Sequence, residues 1–274
     1  MQTKLKIAFI GGGNMAQALI SGLADKLIPA RQIHVVDIQA ETRQVLEKKW
    51  GVTTAATVDA EVSTADVIVL AVKPQQMHEV ASTIAPSIKH QLILSIAAGI
   101  RADDLSRWLG GHQAIVRAMP NTPALIGQGI TGLVALSGVS DQQRTLADSI
   151  LCAVGQTVWL DAETHIDAVT AVSGSGPAYV FYFLEAMQQA AVELGLSAEQ
   201  GRHLAQATFL GAAALASASD ESLSTLRERV TSKGGTTYAA LTSMNDDAVQ
   251  VAIIKALKAA AQRGAELGRE FGQN

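Results

Sequence analysis

An apolar β-type stretch, Lys6-Ile7-Ala8-Phe9-Ile10, runs straight into Gly11-Gly12-Gly13-Asn14-Met15-Ala16 near the start of this 274-residue chain. Amphipathic spacing follows at once, with apolar positions at Met15, Ala18, Leu19, Gly22 and Leu23. Strand, Gly-x-Gly-x-x-Ala turn and helix, in that order, constrain the fold more than any other feature. Gly11 permits the tight turn out of the strand. Gly13, without a Cβ, lets the backbone approach a pyrophosphate, and Ala16 allows close packing of helix on strand. The first N–H groups of such a helix lack internal partners and lie at its positive end, which suits an anion. The turn, with Asn14 and Met15, reads as a dinucleotide site. The alternative is a glycine-rich turn without a ligand.

Strand and helix signals then alternate. Ile33-His34-Val35-Val36-Asp37 reads as a second strand, and 40–50 as a helix ended by Gly51. The nearly continuous apolar runs at 65–72 and 91–96 predict parallel strands buried on both faces. Further strands are expected at 114–117, 132–136 and 157–159, and a helix at 75–84. Repeated βα units predict a parallel sheet with helices on both faces. From Ile166 onward the text is Ala-rich and helical, at 179–194, 200–218, 222–230 and 246–270. Gly195-Leu196-Ser197 reads as a helix stop followed by an N-cap. The expected architecture is α/β, with an N-terminal Rossmann-type sheet over 1–163 and an all-α part over 164–274. Helices so rich in Ala and Gly suggest that some of their apolar surface lies in an oligomer interface.

Composition narrows the partners. Hydrophobic residues make up 48% and charged residues 17%, which supports a buried core and excludes disorder. The net charge of −4 comes without a basic cluster, so nucleic acid is not an expected partner. No charge-free apolar run reaches the ~18 residues of a membrane span. The single cysteine, Cys152, allows no internal disulfide or cysteine-based metal site, and it reads as a small buried hydrophobe. A first strand starting by Leu5 leaves no room for a signal peptide, so a reducing cytoplasm is expected.

Several loops could carry chemistry. Asp37 ends the second strand, where an acid can accept the ribose hydroxyl hydrogens of NADH and repel the 2′-phosphate of NADPH. It could equally be a plain strand-end residue. Arg43 either softens that repulsion or is a solvated helix charge. Ala71-Val72-Lys73-Pro74 and Ala97-Ala98-Gly99 follow strand carboxyl ends, where ligands bind in open α/β sheets. Lys73 is either a cofactor contact or a solvated turn residue. Met119-Pro120-Asn121-Thr122-Pro123-Ala124 is a stiff loop that could hold an amide in place, or an ordinary turn. Ser173-Gly174-Ser175-Gly176-Pro177 lies where a long helix starts or kinks. Thr231-Ser232-Lys233-Gly234-Gly235-Thr236-Thr237 combines free N–H groups and hydroxyls, and reads as a carboxylate cradle or as a helix cap. No metal-ligand spacing appears, and the six scattered His read as surface or capping residues. A cofactor and binding loops without acid–base apparatus suit hydride transfer to an electrophilic acceptor.

Together these loops resemble the pyrroline-5-carboxylate reductase family. The resemblance is carried by the first motif, Ala71-Val72-Lys73-Pro74, Arg117 to Ala124, Asp167 to Tyr179, and Gly234-Gly235-Thr236-Thr237. It implies reduction of 1-pyrroline-5-carboxylate to L-proline by NADPH or NADH. It also implies that Ser232, Gly235, Thr236 and Thr237 hold the substrate carboxylate, with Thr237 next to the ring nitrogen. Glu163 is implied as an acid near that nitrogen. The family implies a homodimer with interlocked helical halves, often five dimers in a decamer. Two departures stand out. Members commonly carry Pro where this chain has Lys233, and many have a small or neutral residue in place of Asp37. Two rival readings are a 6-phosphogluconate-type hydroxyacid dehydrogenase, which lacks its helical lysine here, and a non-catalytic nucleotide sensor.

Overall fold

A computed structural model describes residues 5–273. Eight strands form one sheet: β1 (Ile7–Ile10), β2 (Ile33–Val36), β3 (Thr53–Ala55), β4 (Val67–Leu70), β5 (Leu92–Ser95), β6 (Ile115–Met119), β7 (Gly129–Ala135) and β8 (Gly155–Trp159). Their spatial order is β3-β2-β1-β4-β5-β6-β7-β8. Strands β1 to β6 run parallel to one another. Seven helices accompany them: α1 (Asn14–Leu23), α2 (Ala40–Trp50), α3 (Ala60–Ser63), α4 (Met77–Ile84), α5 (Ala102–Trp108), α6 (Asp141–Cys152) and α7 (His165–Val169).

Continuous apolar strands bury both faces because alternate side chains point to opposite sides. Ile7, Phe9, Val67, Val69, Leu92 and Leu94 join the core on one face. Ala8, Ile10, Ile68, Leu70 and Ile93 join the core on the other. Chain order reverses between β1 and β4, which leaves a crevice outside their carboxyl ends.

The sheet departs from the all-parallel expectation at β7, which runs antiparallel to β6. The connecting segment 120–128 is shorter than the about a dozen residues that a parallel crossover needs. Helix α6 then returns the chain to β8, parallel to β7. Strand β3 gave no sequence signal, since it is three residues long and carries two threonines. Cys152 is exposed rather than buried: it ends α6, with its Sγ 3.5 Å from Thr157 Oγ1. His34 is buried in β2, with Nδ1 2.8 Å from Thr53 Oγ1 and Nε2 3.2 Å from Asp59 Oδ1. It is therefore neither a surface nor a capping residue.

The remaining helices are α8 (Gly176–Glu193), α9 (Ala198–Ser217), α10 (Leu223–Arg229), α11 (Thr236–Asp246) and α12 (Val249–Gly272). A π-helical turn at Thr170–Gly174 precedes α8, at the Gly-rich segment read as a start or kink. Gly195 takes a left-handed φ of 94° and Ser197 forms a capping box with Gln200, as the helix stop and N-cap required. One helix was expected at 246–270. The structure has a break there, at Ala248 with φ 51°, and no Gly or Pro announces it.

Two compact units result: 1–175 with 260–274, and 176–259. The first therefore extends past the sequence boundary at 163/164. It also includes the last turns of α12, where Gly264 and Gly268 are buried. In the second unit, Gly201 lets α8 and α9 approach closely: a Cβ there would lie 2.8 Å from Ala191 Cβ.

Candidate functional site

The glycine-rich turn behaves as the motif demands. Gly11 has φ 100°, and a Cβ on it would stand 2.8 Å from the carbonyl oxygen of Ala71. Only glycine satisfies both conditions. Gly13 is the N-cap of α1, and no side chain caps that helix. A Cβ at Gly13 would meet nothing within 4 Å, so its glycine leaves open space before free N–H groups. That is the cradle an approaching pyrophosphate requires. Ala16 is 1% exposed and Gly13 and Asn14 are exposed, which separates the packing position from the ligand-facing ones. The residues present thus fit a dinucleotide.

Asp37 lies where β2 ends. Its Oδ2 accepts the Gly12 N–H at 2.7 Å and its Oδ1 accepts the Gln39 N–H at 2.8 Å. The carboxylate is therefore anchored to the glycine-rich turn, with lone pairs left for a ribose. Arg43 is not a freely solvated helix charge, because its guanidinium donates to the Asp37 carbonyl oxygen at 2.7 Å.

Ala71, Val72, Lys73 and Pro74 follow β4 directly, with the Ala71 N–H on the Ile10 carbonyl at 2.8 Å. Lys73 is exposed, and Pro74 opens a short 3-10 turn. Ala97, Ala98 and Gly99 follow β5. Ala98 is exposed, whereas Gly99 is buried at φ 72°, with Leu267 and Phe271 of α12 against it. Asn121 does hold its amide in place, structurally. It donates to the Ser173 carbonyl at 3.2 Å and accepts the Ile130 N–H at 2.9 Å.

Glu163 is engaged within the first unit. Its Oε1 accepts the Ala102 N–H at 2.7 Å and a hydrogen bond from Arg117 at 2.8 Å. Nothing in the sequence announced this pairing, since the two partners are 61 and 46 residues away.

In the second unit, Ser232, Gly235, Thr236 and Thr237 lie at the start of α11. Gly235 is its N-cap without a side-chain cap, and its N–H bonds the Ser232 carbonyl at 3.0 Å. Gly234, at φ 75°, turns the chain into the helix. The first N–H groups of α11 are thus available to an anion, beside two threonine hydroxyls. Among the described residues no three His, Cys, Asp or Glu gather as a metal site. No described helix is long and apolar enough to cross a membrane.

A doubly wound sheet with this turn at its switch point defines a class, the dinucleotide-binding α/β proteins. A family model described as NADP oxidoreductase, coenzyme F420-dependent, matches residues 6–99. One described as pyrroline-5-carboxylate reductase dimerisation matches residues 163–267. The chain is 48% identical to the pyrroline-5-carboxylate reductase of Pseudomonas aeruginosa, over 98% of each chain. A solved pyrroline-5-carboxylate reductase from Coxiella burnetii superposes with TM-score 0.91 at 40% identity, over 97% of this chain and 99% of that one. The Plasmodium falciparum pyrroline carboxylate reductase, solved with NADP bound, gives TM-score 0.87 at 28% identity, over 98% and 99%. The chain belongs to the pyrroline-5-carboxylate reductase family.

Proposed function

We propose that this chain reduces 1-pyrroline-5-carboxylate to L-proline with NADH or NADPH, the last step of proline synthesis. The observation that carries the reading is likeness to a named reductase across 98% of both chains. The bound nicotinamide supplies the hydride, which goes to the ring carbon of the C=N bond while the ring nitrogen takes a proton.

The chain's own part is binding and orientation. Gly11, Gly13, Asn14, Met15 and Ala16 form the pyrophosphate turn. Asp37 takes the adenosine ribose, and 71–74 and 97–99 line the nucleotide. Ser232, Gly235, Thr236 and Thr237 hold the substrate carboxylate, supported by the uncapped start of α11. Thr237 hydrogen-bonds the ring nitrogen. Residues 1–163 serve nucleotide binding, and 164–274 serve dimerisation and substrate. The dimerisation match from residue 163 supports that division. The working form is a homodimer, with five dimers in a decamer as the larger assembly, and the location is the cytoplasm.

Asp37 favours NADH, because its charge repels a 2′-phosphate. The test is oxidation of NADH and NADPH side by side with 1-pyrroline-5-carboxylate. Turnover that requires the imine, with NADH used at least as well as NADPH, is expected. Asp37→Ser should shift the ratio towards NADPH. No imine-dependent oxidation with either nucleotide would overturn the reading, and a strong NADPH preference would overturn the role of Asp37.

A further inference from the structure

Paired residues form one row across the sheet: Val36, Ile10, Leu70, Ser95, Arg117 and Val134. Paired positions in register point to the same face. The row is apolar until Ser95 and Arg117. Arg117 is 4% exposed. A buried guanidinium needs a counter-charge and hydrogen bonds, and Glu163 supplies both at 2.8 Å. The same oxygen, Oε1, also accepts the N–H of Ala102, the first residue of α5. Arg101, the N-cap of α5, has no side-chain cap hydrogen bond. Glu163 therefore does from a distance what a capping side chain would do.

The residues between β5 and α5 are 96–101, which include the proposed nucleotide loop 97–99. The loop begins with the Ile96 N–H on the Leu70 carbonyl at 3.1 Å. It ends at the Glu163 tie. Between these points Gly99 is covered by α12, with Leu267 Cβ 3.3 Å and Phe271 Cδ2 3.2 Å from where a Cβ would stand.

We propose that Glu163 is a positioning residue for the nucleotide, holding loop 97–99 through the Ala102 N–H with Arg117 as its buried counter-ion, and is not a substrate contact. This rests on reading 97–99 as part of the nucleotide site. A loop held at both ends meets the nucleotide without first being ordered, so loosening one end weakens nucleotide binding. Substrate held elsewhere is unaffected.

The test measures nucleotide dissociation constants by fluorescence of bound NADH, without imine, and KM values separately. Replacing Glu163 by Leu together with Arg117 by Met removes the tie and leaves neither charge buried alone. The nucleotide Kd should rise about tenfold or more, as loss of a charge-assisted hydrogen bond implies. The KM for 1-pyrroline-5-carboxylate, at saturating nucleotide, should stay within about twofold. Glu163→Gln keeps an acceptor for Ala102 and should raise the Kd by only about threefold. If the double variant does not fold, this single variant decides by the same two constants. An unchanged nucleotide Kd, or a raised imine KM with native nucleotide Kd, would overturn the proposal. Native protein that binds NADH but does not reduce the imine would sink the reductase reading while leaving this inference to stand on Kd.

Discussion

Gly11 and Gly13 sit two residues apart and are glycine for different reasons. Gly11 combines φ 100° with the Ala71 carbonyl at 2.8 Å from a would-be Cβ, so Gly11→Ala strains the fold itself. A cost of about 1–3 kcal/mol is expected, together with weakened nucleotide binding. Gly13 has an ordinary φ of −65° and open space around it. Gly13→Ala should therefore keep the native melting temperature and lose nucleotide affinity, because the added methyl occupies ligand space. Thermal melts with and without NADH check both. A Gly13→Ala protein that binds NADH normally would remove the pyrophosphate from this turn. The motif made both glycines legible in the sequence, but their different burdens depend on Ala71, which only the folded sheet brings to Gly11. Glu163 is the opposite case. Sequence position could not reveal its partners Arg117 and Ala102, which lie far away along the chain.

At the level of elements, long apolar runs were the readable ones. β4 and β5 fell inside the runs at 65–72 and 91–96, and α2 matched 40–50 with Gly51 left-handed at φ 68°. Reversal of β7 followed from a short connection that local pattern does not weigh. The break between α11 and α12 escaped because Ala248 adopts φ 51° without a glycine to mark it. The last turns of helix α12 group with the first unit, although composition alone places them with the helical half. They pack there through Gly264 and Gly268, with Asp167 Oδ1 3.4 Å and Arg101 Nε 3.2 Å from their would-be Cβ atoms. Gly268→Leu should overpack this contact and destabilise by about 1–3 kcal/mol in urea melts. A native midpoint would show that the contact yields freely.

For the whole molecule, the second unit raises its own question. Among its described residues, only Gly201 and Ala205 are buried, while Phe181, Leu210, Leu215 and Val251 are each at least 60% exposed. Helices with so much bare apolar surface gain their stability from association. The match to a dimerisation family over 163–267 agrees with such association. The melting temperature should rise with protein concentration, and sedimentation should give an even number of copies, separating two from ten. A monomer whose melting temperature ignores concentration would contradict stabilisation by association. The Ala-rich composition hinted at such an interface, but which side chains stay bare became visible only once the helices were folded.

The proposed reaction is direct hydride transfer from nucleotide to imine. It is tested by running the reaction with NADH carrying deuterium at nicotinamide carbon 4, transferable face, and reading the proline by mass spectrometry and NMR. One deuterium per L-proline is expected, at ring carbon 5, the former imine carbon. Proline formed without label, or no proline from protein that binds NADH, would contradict it.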